Sequence, residues 1–335
     1  MRGAIAAGLV VVGVVVLGAA LTLRPASDLP PPGTGQPVFP GIAAQLPNAA
    51  RVEISGNGKS STLVLHDGHW GLAERDLYPI ALPKLREMLA GLVELKLIEP
   101  RTADRDQFAR LGVDDPASVG STATALRVRD AGNTTMVDII LGHRRTRSQG
   151  GLPEAVYVRR PSENQSWLAE GRVPADTDPQ AWLVRDLTDI APEKIAHVAV
   201  VRGNDTLVFD RTGDKFGLTP PGDVKLDDYH VEEVSRALSG LTFTDVRAGA
   251  LPGTPLGHTD FVTTDGTTLT VTLSKDGALL WAGFAATGKG ADDWKQLQGW
   301  AYQLPDWREK ALLPAMADLK AAEPAKADAP AAPTP

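Results

Sequence analysis

The chain has 335 residues, enough for two domains of ordinary size. Its hydrophobic (43%) and charged (22%) fractions are those of a globular protein, and its net charge of −7 argues against a generic nucleic-acid binder, which needs a basic surface to neutralise phosphate. Cysteine is absent, which excludes disulfides, thiolate chemistry, cysteine-based zinc sites and a lipid-modified N-terminal cysteine.

The first element in chain order is AIAAGLVVVGVVVLGAALTL (4–23), 20 residues without a charge. As a helix it spans about 30 Å, the hydrocarbon thickness of a bilayer. Residues 1–24 are therefore expected to form one transmembrane anchor. Arg2 and the free N-terminus favour a cytoplasmic start, although Arg24 on the other side makes the bias small. The rival reading is a signal peptide cleaved after the small residues GAA (18–20). Either way the remainder is exported. The Pro/Gly-rich stretch RPASDLPPPGTGQP (24–37) opens an expected linker over 25–48, and the Ala/Pro-rich end (319–335) is expected to be a disordered tail.

Between these lie two similar halves. The strings HWGL (69–72) and KFGL (215–218) are 146 positions apart (215 − 69), each after a short apolar run and a turn. VEISGNGKSSTLVL (52–65) and VAVVRGNDTLVF (198–209) both read as strand, Gly-Asn turn, strand. In this alignment the first turn is two residues shorter in the second copy, and the next turn is two longer. Leu82, Leu85, Leu89 and Leu92 repeat at steps of three and four, and Val231, Val234, Leu238 and Leu241 repeat at the same steps. Both sets form one helical stripe. Gly91 and Gly240 share that offset of 149. Pro83 fits the first turn of the first helix, and Asp227 or Asp228 can cap the second.

Strand signals continue in each copy. VDIIL (137–141) points Val137, Ile139 and Leu141 inward, and TLTVTL (268–273) does the same with Leu269, Val271 and Leu273. AVYVRR (155–160) and ALLWAGF (278–284) give a further strand each. Trp182 to Leu187 and Trp307 to Leu312 share one spacing and are expected to close each copy with a short helix. The expected fold class is α+β. Two tandem copies (49–192 and 193–318) of a mainly antiparallel β-β-α-β-β-β unit carry a helix on one face, after a single transmembrane helix. Trp70 and Phe216 are expected as equivalent core aromatics, with Gly71 and Gly217 easing the exit from the sheet.

Chemical motifs are weak. GNGKSS (56–61) lacks the first glycine of a phosphate-binding loop, that position being Glu53, and reads as a hairpin turn. His66 and His69 flank an Asp-Gly turn with no third ligand nearby. The acidic pairs Asp114-Asp115 and Asp227-Asp228 fit turn and cap roles. No metal or cofactor site is expected. The one local basic run is HRRTRSQGGLPE (143–154), a loop between two strands. Its Arg144, Arg145 and Arg147 are either solvated or a contact for anionic lipid headgroups or an acidic partner.

Several segments together resemble a bacterial envelope family known as domain of unknown function 4340. They are WGLAERDLYPIALPKLREMLAGLVELKLIEPR (70–101), LGVDDP (111–116), IILG (139–142) with AVYVRR after it, and WLVRDLTDIAPEKIAHVAV (182–200), behind an N-terminal anchor. The resemblance covers residues 50–250 best. It implies an accessory role beside an ABC-type or gliding-motility-like transporter and carries over no catalytic residue. The expectation is a single-pass inner-membrane protein with its body in the periplasm. It is expected to be a non-enzymatic accessory or scaffold touching the membrane and ABC permease or ATPase components, but no nucleic acid. Two alternatives stay open. One is a ligand-binding module for glycans or lipids, with a concave cleft holding aromatics such as Trp294, Trp300 and Tyr302. The other is an envelope hydrolase.

Overall fold

The computed structural model describes residues 33–145, 154–221 and 224–321. The expected membrane anchor (1–24) and the far end of the tail (322–335) lie outside the described residues. No helix among the described residues is long and apolar enough to cross a membrane.

The protein is α+β and rich in antiparallel sheet. The first half runs β1 (Ala49–Gly56), β2 (Lys59–His66), β3 (His69–Leu72), β4 (Tyr78–Pro79), α1 (Leu82–Glu94), β5 (Lys96–Pro100), β6 (Thr124–Asp130), β7 (Thr135–Arg145), β8 (Ala155–Arg159) and β9 (Ser166–Glu170). The short β10 (Asp186–Thr188) comes next. The second half runs β11 (Ile195–Arg202), β12 (Asp205–Thr212), β13 (Lys215–Leu218), α2 (Asp228–Ser235), β14 (Leu241–Thr242), β15 (Asp245–Ala248), β16 (Thr254–Thr263), β17 (Thr267–Asp276), β18 (Leu279–Gly288) and β19 (Trp300–Leu304). One sheet has the order β4-β3-β2-β1-β6-β7-β8-β9-β5, and another β13-β12-β11-β16-β17-β18-β19-β15. Strands β10 and β14 pair separately. Each half thus holds more strands than the expected β-β-α-β-β-β. HWGL and KFGL are strands rather than exits from the sheet, and each helix leads into a strand.

The strand bounds also correct the alignment of the halves. From β1 to β3 and from β11 to β13 every strand has the same length and every turn has two residues, at a constant offset of 146. The compensating loop changes disappear. Gly-Asn misled because the two hairpins use it differently. In the first hairpin Gly56 ends the strand, and the turn is Asn57-Gly58 with φ of 51° and 71°. Both residues are left-handed, as a type I′ hairpin turn requires. In the second hairpin the turn is Gly203-Asn204, and Gly203 alone has positive φ, at 60°.

The alternating residues behave as expected. Val137, Ile139, Leu141, Leu269, Val271 and Leu273 are all buried. In the first sheet, however, the opposite face is not simply wet. Ile140 packs with Phe108, Val113 and Ala123, so the segment after β5 covers part of that face.

The helical stripes hold in part. In α1 the buried residues are Leu85, Met88, Gly91 and Leu92, while Leu82 is exposed. Position 82 is the first residue of the helix, where the core no longer covers the stripe. In α2, Val231 and Val234 are buried, and the helix ends at Ser235. Leu238 and Leu241 are buried beyond the helix end, Leu241 within β14. Asp227 is the N-cap, its carboxylate accepting the Tyr229 amide.

The ends of the body lie further out than the composition suggests. Gly35 and Val38 amides donate to the Leu97 and Leu95 carbonyls, and Pro37 bridges Lys96. Val38 and Ile42 are buried, so residues 33–48 are folded rather than linker. At the other end Leu319 is buried and Lys320 bridges Leu226. Backbone hydrogen bonds outweigh the low-complexity composition at both places.

Residue contacts gather the chain into two compact units. Among the described residues, one comprises those within 33–49, 55–58 and 85–175, and the other those within 50–54, 59–84 and 176–321. In the second unit Tyr78, just after the first-half hairpin, meets Phe243, Trp300 and Tyr302 edge-on, with ring centroids 4.9 to 6.1 Å apart. Arg75 makes a two-pronged ion pair with Asp245, and Asp76 accepts the Ala248 amide.

Candidate functional site

The basic loop comes first, because the sequence singles it out. Arg144 and Arg145 lie at the end of β7, opposite Val156 and Ala155 of β8. Arg144 pairs with Glu154 at 3.4 Å. Arg145 is half-buried, and its Nε has no hydrogen-bond partner among the described residues. Arg147 lies outside the described residues. The part of the run that is seen is a strand end whose first charge is already compensated.

The histidines of the Asp-Gly turn are exposed. His66 contacts Asp67, and His69 Nδ1 lies 2.9 Å from the Asp67 carbonyl. Asp115 accepts the Ala117 amide in a turn. Among the described residues there is no group of three or more His, Cys, Asp or Glu that could hold a metal ion.

The aromatics divide sharply. Trp70 and Phe216 occupy matching places, opposite Leu65 and Arg211, but both are half-buried rather than core. They lie toward the hairpin tips, and the fully buried partners are Leu63 and Leu72 in one hairpin and Phe209 in the other. Phe216 stacks on Phe209, at 5.6 Å. Trp182 and Trp307 part company further. Trp182 is wholly buried, its indole N–H donating to the Asp176 carbonyl and the Lys84 ammonium 4.7 Å from its ring. It ends a single turn of 3-10 helix, and the expected closing helix is absent there. Trp307 is 63% exposed, next to the helical turn Glu309–Leu312.

Trp307 belongs to a surface groove of about 330 Å³, whose lining includes Tyr229, His230, Glu233, Trp307 and Lys310. Tyr229 is 65% exposed. Two large aromatics thus line one groove, presented by α2 and the segment after β19. The indole of Trp307 is held in place. The Arg308 guanidinium lies 4.3 Å from its ring centroid and is itself tied to the Gly240 carbonyl. Partial burial pulls the pKa of that guanidinium down.

Of the aromatics expected in a ligand cleft, Trp300 and Tyr302 are instead part of the aromatic cluster around Tyr78 and Phe243. Tyr302 is fully buried there, and burial pushes its phenol pKa up. Trp294 alone faces a hollow, of about 360 Å³, together with Asp189, Ile190, Lys194, Asp265 and neighbouring threonines. No local signal in the sequence marks Asp189, Lys194 or Asp265. Asp189 and Lys194 begin and end the connection between β10 and β11, Asp265 lies in the β16–β17 turn, and only the fold brings them together.

A family model described as "Domain of unknown function (DUF4340)" matches residues 70–260, more than half of the chain, so the chain belongs to that family. No curated protein and no solved structure matches the chain.

Proposed function

We propose that this member of the DUF4340 family is a membrane-anchored periplasmic accessory protein, a non-catalytic scaffold that works by binding a protein partner. The observation that carries the reading is the groove with Tyr229 and Trp307. Both rings are about two-thirds exposed, and the Arg308 contact pre-orders one of them. Exposed Trp and Tyr on a pre-formed groove match the residue types that dominate binding energy at protein interfaces.

The apolar segment 4–23 supplies the tether, and the family resemblance points to the permease or ATPase of an ABC-type transport system as the partner. Tandem duplication underlies the body. The matched strand orders and the constant offset of 146 through the two hairpins support it.

The test is crosslinking in intact cells with C-terminally tagged full-length protein, then mass spectrometry of the membranes. Recovery of a transporter component, lost when residues 1–24 are exchanged for a cleavable signal, supports the tethered role. Loss of the same crosslink in the Tyr229→Ala, Trp307→Ala double variant assigns it to the groove. An undiminished crosslink in that variant sinks the groove, and recovery of no partner sinks the accessory role itself.

A further inference from the structure

A second site has a different chemistry, in the hollow walled by Trp294. Its floor includes Ile190 and Thr267, both buried, and its polar groups are Asp189, Lys194 and Asp265. The volume of about 360 Å³ falls within the range of small-molecule sites, roughly 300–1,000 Å³.

The two carboxylates are fixed in the same way. Asp189 Oδ1 accepts from the Gly240 amide (3.0 Å) and the Ser239 hydroxyl. Asp265 Oδ1 accepts from the Thr263 hydroxyl and the Thr267 amide, which hold its pKa below the usual carboxylate range. Asp189 Oδ2 has no hydrogen-bond or ionic partner among the described residues, whereas Asp265 is also held by the Thr267 hydroxyl. Both carboxylates are therefore oriented, and Asp189 offers its second oxygen. The Lys194 ammonium likewise has no partner among the described residues, and the half-buried Trp294 ring has no aromatic or cationic neighbour there.

We infer that this hollow binds a neutral pyranose, either as a free sugar or as the end unit of a glycan. An indole face packs against the C–H face of a sugar ring, which is apolar. Fixed carboxylate oxygens accept from ring hydroxyls, and an unpaired ammonium donates to them. A cationic ligand would use Trp294 and the two carboxylates but would meet Lys194 as a like charge. A simple anion would meet the carboxylates. A ring bearing hydroxyls, which both donate and accept, satisfies all four groups. The inference is independent of the partner groove, since none of the residues is shared.

The experiment is ligand-observed saturation-transfer NMR, with titration, on the full chain in a polyoxyethylene detergent that carries neither sugar nor choline. The probes are methyl β-glucopyranoside, N-acetylglucosamine, chitotriose and choline. Saturation of pyranose protons is expected, with affinity falling at least about tenfold in Trp294→Ala and in Asp189→Asn, which retains the Oδ1 acceptor for Gly240. A monosaccharide bound as well as chitotriose identifies a free-sugar site, and much tighter trisaccharide binding identifies a glycan end. Three results overturn the inference: no pyranose signal up to about 50 mM, binding of choline alone, or pyranose binding unchanged in both variants.

Discussion

The hairpins β1–β3 and β11–β13 have the same strand lengths, the same two-residue turns and matching registers. They differ in the route the chain takes on leaving them. After β3 it turns back through Asp76 and Leu77, both with positive φ (52° and 64°), and adds β4 beside β3. Among the described residues, no such strand is added beside β13. The equivalent glycines record this. A β carbon on Gly71 would stand 2.3 Å from the Leu77 carbonyl oxygen, whereas one on Gly217 would meet nothing within 4 Å. A glycine shared at matching positions is therefore sterically required at one and not at the other. The same holds for Gly91, packed against the Arg172 carbonyl, and Gly240, which needs its positive φ of 53°.

Substitutions at paired positions can break this contrast. The largest difference is expected between the tryptophans. Trp182→Ala removes a fully buried ring with a satisfied N–H and should cost about 3–5 kcal/mol. Trp307→Ala, on an exposed ring, should change stability by no more than about 0.5 kcal/mol. Urea midpoints at constant m report both, and equal losses would mean that the two environments are not distinct.

The glycines come next. Gly71→Ala should cost about 1–3 kcal/mol by overpacking against backbone, while Gly217→Ala should stay within about 0.5 kcal/mol. A comparable loss at both positions would show that the constraint is shared after all.

The smallest effect is electrostatic and belongs to the second hairpin. Asp210 pairs with His197 at 2.7 Å, across the β11–β12 register, and the imidazole holds its carboxyl pKa below the usual range. The corresponding first-hairpin position is Val64, which carries no charge. Because the folded pKa is depressed, the stabilisation is present above the unfolded value, about 3.9, and fades as pH falls through the lower folded value. Asp210→Asn should therefore lower stability modestly near neutrality, where the stabilisation is present, and flatten its decline below about pH 4. Chemical unfolding across pH 2.5–6 (approximate bounds for this window) reads the slope, and an unchanged slope would show that the pair contributes nothing to it.

Much of the fold was legible because it rests on local patterns. Period-two alternation located β7 and β17, and Asp227 marked the start of α2 correctly. The turn glycines located the hairpins, although the two Gly-Asn dipeptides stand one residue out of step with the strands (203 − 56 = 147, against 146). What the sequence missed is non-local. β4 and β14 have two residues each and carry no periodicity. Nothing local distinguishes Trp182 from Trp307, since both precede Leu at the same spacing. Thr259, at the register position that matches Leu126, is buried because its hydroxyl reaches the Leu312 carbonyl, a partner 53 residues away.

The candidate sites show the same division. Arg144 and Arg145 stood out as a charge run, yet the fold gives Arg144 a partner in Glu154. Trp294 was visible as an aromatic, but Asp189, Lys194 and Asp265 were not, because each is an ordinary connecting residue until the β10–β11 connection and the β16–β17 turn converge.

The sequence by itself determined the class of elements, the likeness of the two hairpins and the apolar segment at 4–23. All three depend on residue type and spacing within a few turns or strands. The tertiary structure alone decided which aromatics are core and which are surface. It also set where the body begins and ends, and which carboxylates keep a free oxygen. Burial and hydrogen-bond satisfaction depend on what the rest of the chain brings alongside, and no local window contains that information.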